Sequence, residues 1–192
     1  MPRNGILCVE GDWEEGLMRR RSVVPVLELI KSQWDVPFIY RTASTRDEFR
    51  VVVTEWLKAK YNKFPILYLG FHGNPGELEI GRELVPICDL HEFADKGTGR
   101  IVHFGACETL SADRAVLNKF LKMTRFVGLC GFKEEVDWLH SCALEIMILD
   151  ELSKRKISAK NMHVFRENIQ KVAGSLAKEL GFHIWERGKI FR

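Results

Sequence analysis

An imidazole and a thiol stand at the ends of two consecutive apolar runs. The run Phe64-Pro65-Ile66-Leu67-Tyr68-Leu69-Gly70-Phe71 stops at His72-Gly73, and Arg100-Ile101-Val102-His103-Phe104-Gly105-Ala106 stops at Cys107-Glu108-Thr109, which sets the cysteine 35 positions beyond the histidine. A cysteine attacks as thiolate, so it needs a depressed pKa or an adjacent base. Attack on an amide builds an oxyanion, which preorganised backbone N–H groups stabilise best where no side chain stands in the way. His72 is then the candidate acid/base and Cys107 the candidate nucleophile, with the amides of Gly73 and Cys107 as oxyanion donors. Taken singly, His72 reads as a turn histidine and Cys107 as a small buried hydrophobe. Their ordered pairing at adjacent strand ends is what points to chemistry.

Two strand ends meet only if a parallel sheet delivers them to one rim. Short apolar runs alternate with helical patterns along the whole chain, the mark of a parallel α/β sheet. Strands are predicted over Ile6 to Val9, Pro37 to Tyr40, Ile66 to Phe71, Ile101 to Gly105 and Phe126 to Gly131. Helices are predicted over Val24 to Gln33, Thr45 to Tyr61, Asp89 to Ala94, Asp113 to Thr124, Val136 to Leu152 and Ala159 to Leu180. Thr45 with Glu48 forms a capping box, Ser111 is placed to cap the helix after the cysteine, and Gly181 sits where a left-handed stop belongs. A helix beginning near Ser111 would also lend partial positive charge to Cys107. Glu77 to Ile80 and Glu83 to Val85 read as a hairpin turning at Gly81-Arg82, a wall for an extended substrate. The tail Phe182-His183-Ile184-Trp185, with Gly188 to Phe191 after it, is expected as a final strand or extension, antiparallel at the sheet edge, where an unpaired edge could also pair with a second copy.

At 192 residues and 46% hydrophobic content the chain is expected to form one domain, residues 1–192, with a sheet covered on both faces. Net charge is only +3, from 29 basic against 26 acidic residues, and the signs are interspersed, so no nucleic-acid footprint is expected. The opening residues are too short and too acidic for a signal peptide, and no run suits a bilayer, so no membrane partner is expected. Five cysteines, an odd number placed mostly in apolar patterns, suit reduced thiols and a cytoplasmic setting. Cys88, His91, His103 and Cys107 have ligand-like spacing, but residues four apart on a strand are separated by about 13 Å, too far for one tetrahedral ion. Gly70 to Gly76 lacks the Gly-Lys-Ser/Thr of a phosphate loop. No metal and no cofactor is expected. His103, inside a strand, reads as a satisfied core imidazole, while His91, His140 and His163 fall in helical patterns.

Phe71-His72-Gly73 followed by Gly105-Ala106-Cys107 resembles the caspase-like cysteine peptidases, the group of caspases, gingipains, legumain and separase. The later stretch Gly128-Leu129-Cys130-Gly131-Phe132-Lys133-Glu134-Glu135-Val136-Asp137-Trp138 is most similar to the bacterial CHAT-type domains of that group. The resemblance implies a caspase-like three-layer sandwich, a mostly parallel sheet flanked by helices. It also implies a His-Cys dyad that cleaves a peptide or protein substrate next to a charged residue through an acyl-enzyme. The chain departs from caspases at Glu108-Thr109, where they carry Arg-Gly. Leu110 to Arg125 is little more than one helix and leaves no room for a cleavable linker. Control by a regulatory protein partner, a ligand or dimerisation is expected instead, in a monomer or homodimer. For the specificity pocket, Arg19-Arg20-Arg21 lies where caspases read an acidic residue, whereas Glu108, Glu134, Glu135, Asp137 or Asp12 would suit a basic one. Two other readings stand beside this one. The first is a catalytically inactive interaction or signalling domain. The second is a glutaminase-type thiol amidohydrolase, with its histidine after the cysteine at His140, His163 or His183.

Overall fold

The computed structural model describes residues 2–14 and 21–187. Its central sheet is built from β1 (Ile6–Glu10), β2 (Phe38–Thr42), β3 (Ile66–Gly70), β7 (Ile101–Phe104), β8 (Gly128–Phe132) and β9 (Phe182–Glu186), in the spatial order β2-β1-β3-β7-β8-β9. Between β3 and β7 a small antiparallel sheet of β4 (His72–Asn74), β5 (Glu77–Ile80) and β6 (Glu83–Pro86) is inserted. The large sheet is parallel throughout except for β9, which pairs antiparallel with β8. The α/β class and the mostly parallel sheet expected from the alternation of patterns are therefore present.

Successive strand residues point to opposite faces, and the core divides accordingly. Leu7, Val9, Leu67, Leu69, Val102, Phe104 and Leu129 pack with Phe49, Val53 and Trp56 of α2 (Arg46–Trp56) and Leu117, Phe120 and Leu121 of α3 (Arg114–Thr124). The alternate residues Ile6, Cys8, Ile66, Tyr68, Ile101 and Cys130 pack with Leu27 and Ile30 of α1 (Val24–Trp34), Leu144 and Ile148 of α4 (Trp138–Lys154) and Met162, Phe165 and Ile169 of α5 (Ala159–Glu179). Burial on both faces is why these strands read as continuous apolar runs rather than alternating ones.

Helix ends follow their local chemistry, with four departures from expectation. The Thr45 hydroxyl accepts from the Glu48 amide at 3.2 Å, but the Glu48 carboxylate reaches back to the Ser44 amide at 2.8 Å, one residue further than a standard capping box. The helix expected over Thr45 to Tyr61 breaks into α2 and a 3-10 turn, Ala59–Tyr61. Its last carbonyls, of Trp56 and Leu57, accept from the Arg100 guanidinium at 3.4 and 3.3 Å, so the chain is free to turn away there. Ser111 caps nothing. It ends a 3-10 turn, Thr109–Ser111, and α3 begins only after Asp113. The short helix expected at Asp89 is likewise a 3-10 turn, Ile87–Glu92. Gly181 does adopt the left-handed conformation after α5, at φ 58°.

Candidate active site

β3 and β7 lie side by side in register, Leu69 opposite Phe104, and the Gly105 amide donates to the Leu69 carbonyl at 2.9 Å. Both strands therefore release their chains at one rim. Gly105 is required at that exit, because a Cβ there would sit 2.3 Å from the Tyr68 hydroxyl. The expected strand Ile66 to Phe71 stops at Gly70. Phe71, buried, turns the chain, and His72 opens β4, which pairs antiparallel with β5 in the register His72 opposite Glu79. The expected hairpin is thus a three-stranded sheet whose first strand begins at the histidine.

β4 lies directly against the chain that leaves β7. A Cβ on Gly73 would stand 2.3 Å from the Thr109 hydroxyl oxygen and 2.4 Å from the Cys107 carbonyl oxygen, so only glycine permits the approach. Thr109 in turn donates through its hydroxyl to the Cys107 carbonyl at 3.2 Å, and the Gly76 amide donates to the Thr109 carbonyl at 3.1 Å. Glu108 holds a left-handed conformation, φ 53°, which makes the bend an elbow. The structure thereby joins the backbones that carry His72 and Cys107. It does not place a helix start at the thiol: the turn 108–113 separates Cys107 from α3, so the macrodipole, which acts within the first turn, does not reach it.

His72 is exposed, and its Nε2 lies 2.9 Å from the backbone carbonyl of Trp13. A carbonyl can only accept, so Nε2 carries the hydrogen, and in the neutral ring Nδ1 keeps its lone pair for a thiol proton. The Trp13 indole also packs edge-on to the imidazole, with ring centroids 5.4 Å apart, and against the Trp138 indole at 4.9 Å. Neither tryptophan stood out in the sequence as a site residue. A backbone acceptor leaves no mark in side-chain identity.

The acidic candidates gather near the same rim in different roles. The Glu108 amide donates to the Glu134 carbonyl at 3.2 Å, which ties the elbow to the turn after β8. Glu108 is half-buried, and Glu134 and Glu135 are exposed. The Glu134 side chain covers Gly181, where a Cβ would meet its Cγ at 3.0 Å. Asp137 caps α4, its Oδ1 accepting from the amides of Leu139 and His140, each at 2.9 Å, and those bonds hold its carboxyl below the usual range. Asp12 is exposed. Of the arginine run, Arg21 lies 6.0 Å over the Trp138 ring and 3.7 Å from Glu14. Arg20 falls outside the described residues, as does the stretch from Gly188 onward.

All five cysteines are free. Burial pushes the thiols of Cys8 and Cys130 far up and Cys142 up to about 12, reinforced by Glu10 and then Glu145 at Cys8 and by Glu145 at the other two. Burial also raises Cys88. These four are protonated at neutral pH and poorly suited to attack. Cys107 is half-buried at the elbow. His103 is a satisfied core imidazole, its Nε2 3.0 Å from Glu145 and its Nδ1 3.3 Å from the Cys130 sulfur. Among the other histidines, His163 faces Glu167 on α5 at 3.2 Å, His183 stands on the edge strand β9, and His140 lies in the first turn of α4. Among the described residues, no three His, Cys, Asp or Glu side chains are grouped to hold a metal ion.

The fold has known counterparts. Caspase-1 from Spodoptera frugiperda superposes with a TM-score of 0.56 at 10% identity, covering 96% of this chain and 88% of that one. The Drosophila initiator caspase Dronc superposes with a TM-score of 0.59 at 8% identity, covering 96% and 80%. At such identities the likeness establishes a caspase-like fold alone. No curated protein matches the sequence. A family model does, over residues 3–186, and the chain therefore belongs to the family described as a family of unknown function, DUF6642.

Proposed function

We propose that this chain is a cysteine endopeptidase in which Cys107 attacks the scissile carbonyl and His72 accepts the thiol proton at Nδ1. The observation that carries the reading is the hydrogen bond from His72 Nε2 to the Trp13 carbonyl, made on the same crest where Gly73 packs onto the carbonyl of Cys107. That bond selects the tautomer in which Nδ1 is a base. In the acylation step the sulfur forms a bond to the carbonyl carbon and the oxygen becomes an anion. The amides of Gly73 and Cys107 receive that charge, and the imidazolium then passes its proton to the departing amine. Water, deprotonated by the same imidazole, hydrolyses the thioester. The caspase-like fold supports a protein or peptide substrate. The narrower likeness to CHAT-type domains adds the turn from Glu134 to Trp138 as a wall of the site.

The residue read beside the cut is a charged one, met by Glu108, Glu134, Glu135 or Asp137 if basic, and by Arg20 and Arg21 if acidic. Five free thiols suit a reducing compartment such as the cytoplasm. The test is cleavage of a peptide library with charged residues at every position, using the wild type, Cys107→Ala and His72→Ala. We expect Cys107→Ala to abolish turnover and His72→Ala to lower kcat by about 10²- to 10⁴-fold. Equal cleavage by wild type and Cys107→Ala would overturn the assignment.

A further inference from the structure

A buried carboxylate lies beneath the crest. Glu10 ends β1 at 1% exposure, and four donors converge on it. Its Oε1 accepts from the Trp13 indole N–H at 2.6 Å and the Val23 amide at 2.8 Å, and its Oε2 accepts from the hydroxyls of Ser22 at 2.7 Å and Tyr40 at 2.6 Å. An acid buried in a strand needs such company, since an unpaired charge there is costly to desolvate. Here the company is unusual in its placing. Trp13 lies just after β1 and Ser22–Val23 just before α1, so one side chain clasps both described ends of the segment that leaves the sheet toward the site. The third element in the clasp is β2, through Tyr40.

Trp13 is the residue whose carbonyl meets His72 Nε2 at 2.9 Å and whose indole lies edge-on to the imidazole. The start of the segment is pinned as well: the Gly11 amide donates to the Gly70 carbonyl at 2.8 Å, and a Cβ on Gly70 would touch the Trp13 ring at 3.2 Å. A side chain fixed at its indole nitrogen and along its ring leaves its own carbonyl little freedom. We propose that Glu10 is a positioning residue for His72: through the indole of Trp13 it fixes the carbonyl that holds the imidazole in its Nε2–H form and aims Nδ1 at the thiol. This rests on the peptidase reading for its consequence in turnover, but the orientation of the ring is a property of the resting protein.

The experiment compares Glu10→Leu, Glu10→Gln and Trp13→Phe with the wild type. The ring nitrogens of His72 are read by ¹⁵N NMR in the absence of substrate, and kcat and KM on a cleaved peptide. In Glu10→Gln the amide oxygen keeps the indole and Val23 donors while its NH₂ can donate to the two hydroxyls, so the Nε2–H form persists and kcat stays within about 3-fold, since hydroxyls both donate and accept. In Glu10→Leu the bias toward Nε2–H is lost and kcat falls about 10- to 10²-fold with KM nearly constant, the signature of a misplaced base. Trp13→Phe removes the indole donor but leaves the carbonyl, and it shifts the His72 signals in the same direction. It decides the matter if Glu10→Leu does not fold. An unchanged His72 tautomer in a folded Glu10→Leu, or in Trp13→Phe, overturns the proposal. Because the NMR readout needs no turnover, absence of peptidase activity with a shifted tautomer would fault the functional reading and leave the positioning role standing.

Discussion

Gly73 shows how much of the site depends on one missing side chain. Its neighbours are a carbonyl and a hydroxyl that are themselves bonded to each other, the Cys107 carbonyl and the Thr109 hydroxyl, so neither can step aside cheaply. Gly73→Ala must therefore push β4 away from the elbow and carry His72 with it. We expect a loss of about 1–3 kcal/mol in stability, as for other overpacked positions, and a fall in kcat of about 10²-fold from the displaced base. Thermal unfolding and single-turnover kinetics would check both. Wild-type turnover in Gly73→Ala would mean that the approach of the two backbones is irrelevant to chemistry. The glycine was legible as part of a His-Gly pair, but its reason was not: the sequence suggested room for an oxyanion, while the structure adds that β4 could not otherwise seat on the elbow.

At the scale of elements, a second buried carboxylate fastens α4 to the sheet. Glu145 accepts from the Tyr68 hydroxyl on β3 at 2.9 Å and from His103 Nε2 on β7 at 3.0 Å, and His103 Nδ1 meets the Cys130 thiol on β8 at 3.3 Å. Glu145, His103 and Tyr68 are almost wholly buried, and burial together with Glu145 raises the Tyr68 pKa well above its ordinary value. The same helix begins at Trp138, whose indole packs against Trp13, the residue that holds His72. Glu145→Ala would leave the hydroxyl and the imidazole without an acceptor, at about 1–3 kcal/mol for each orphan. We expect a total loss of about 2–6 kcal/mol by urea unfolding, with Glu145→Gln, which keeps one acceptor, losing less. A change below about 0.5 kcal/mol, the range of ordinary surface substitutions, would show that the network does not fasten the helix. His103 was legible as a core histidine because it interrupts an apolar strand. Its partner, 42 positions away on a helix, was not.

For the molecule as a whole, what was legible is what local pattern dictates. The parallel strands were readable because burial on two faces makes them continuous apolar runs, and the order β3, β7 with His72 and Cys107 at their exits followed from that. What escaped is set by long-range partners. β4 has only His72-Gly73-Asn74 to show and gains its strand character from β5, while the end of α2 is imposed by Arg100 from 44 positions away. The acceptor for His72 is a backbone atom, the carbonyl of Trp13, which side-chain identity does not reveal. The central claim is that His72 and Cys107 act as one unit. The most direct measurement is covalent labelling with acyloxymethyl ketone peptides carrying Asp, Lys or Arg, followed by mass-spectrometric mapping of the adduct in wild type and His72→Ala. The account predicts a single adduct on Cys107 that forms far more slowly without the imidazole. Preferential labelling of Cys88 or Cys142, or equal rates of Cys107 labelling in both proteins, would contradict it.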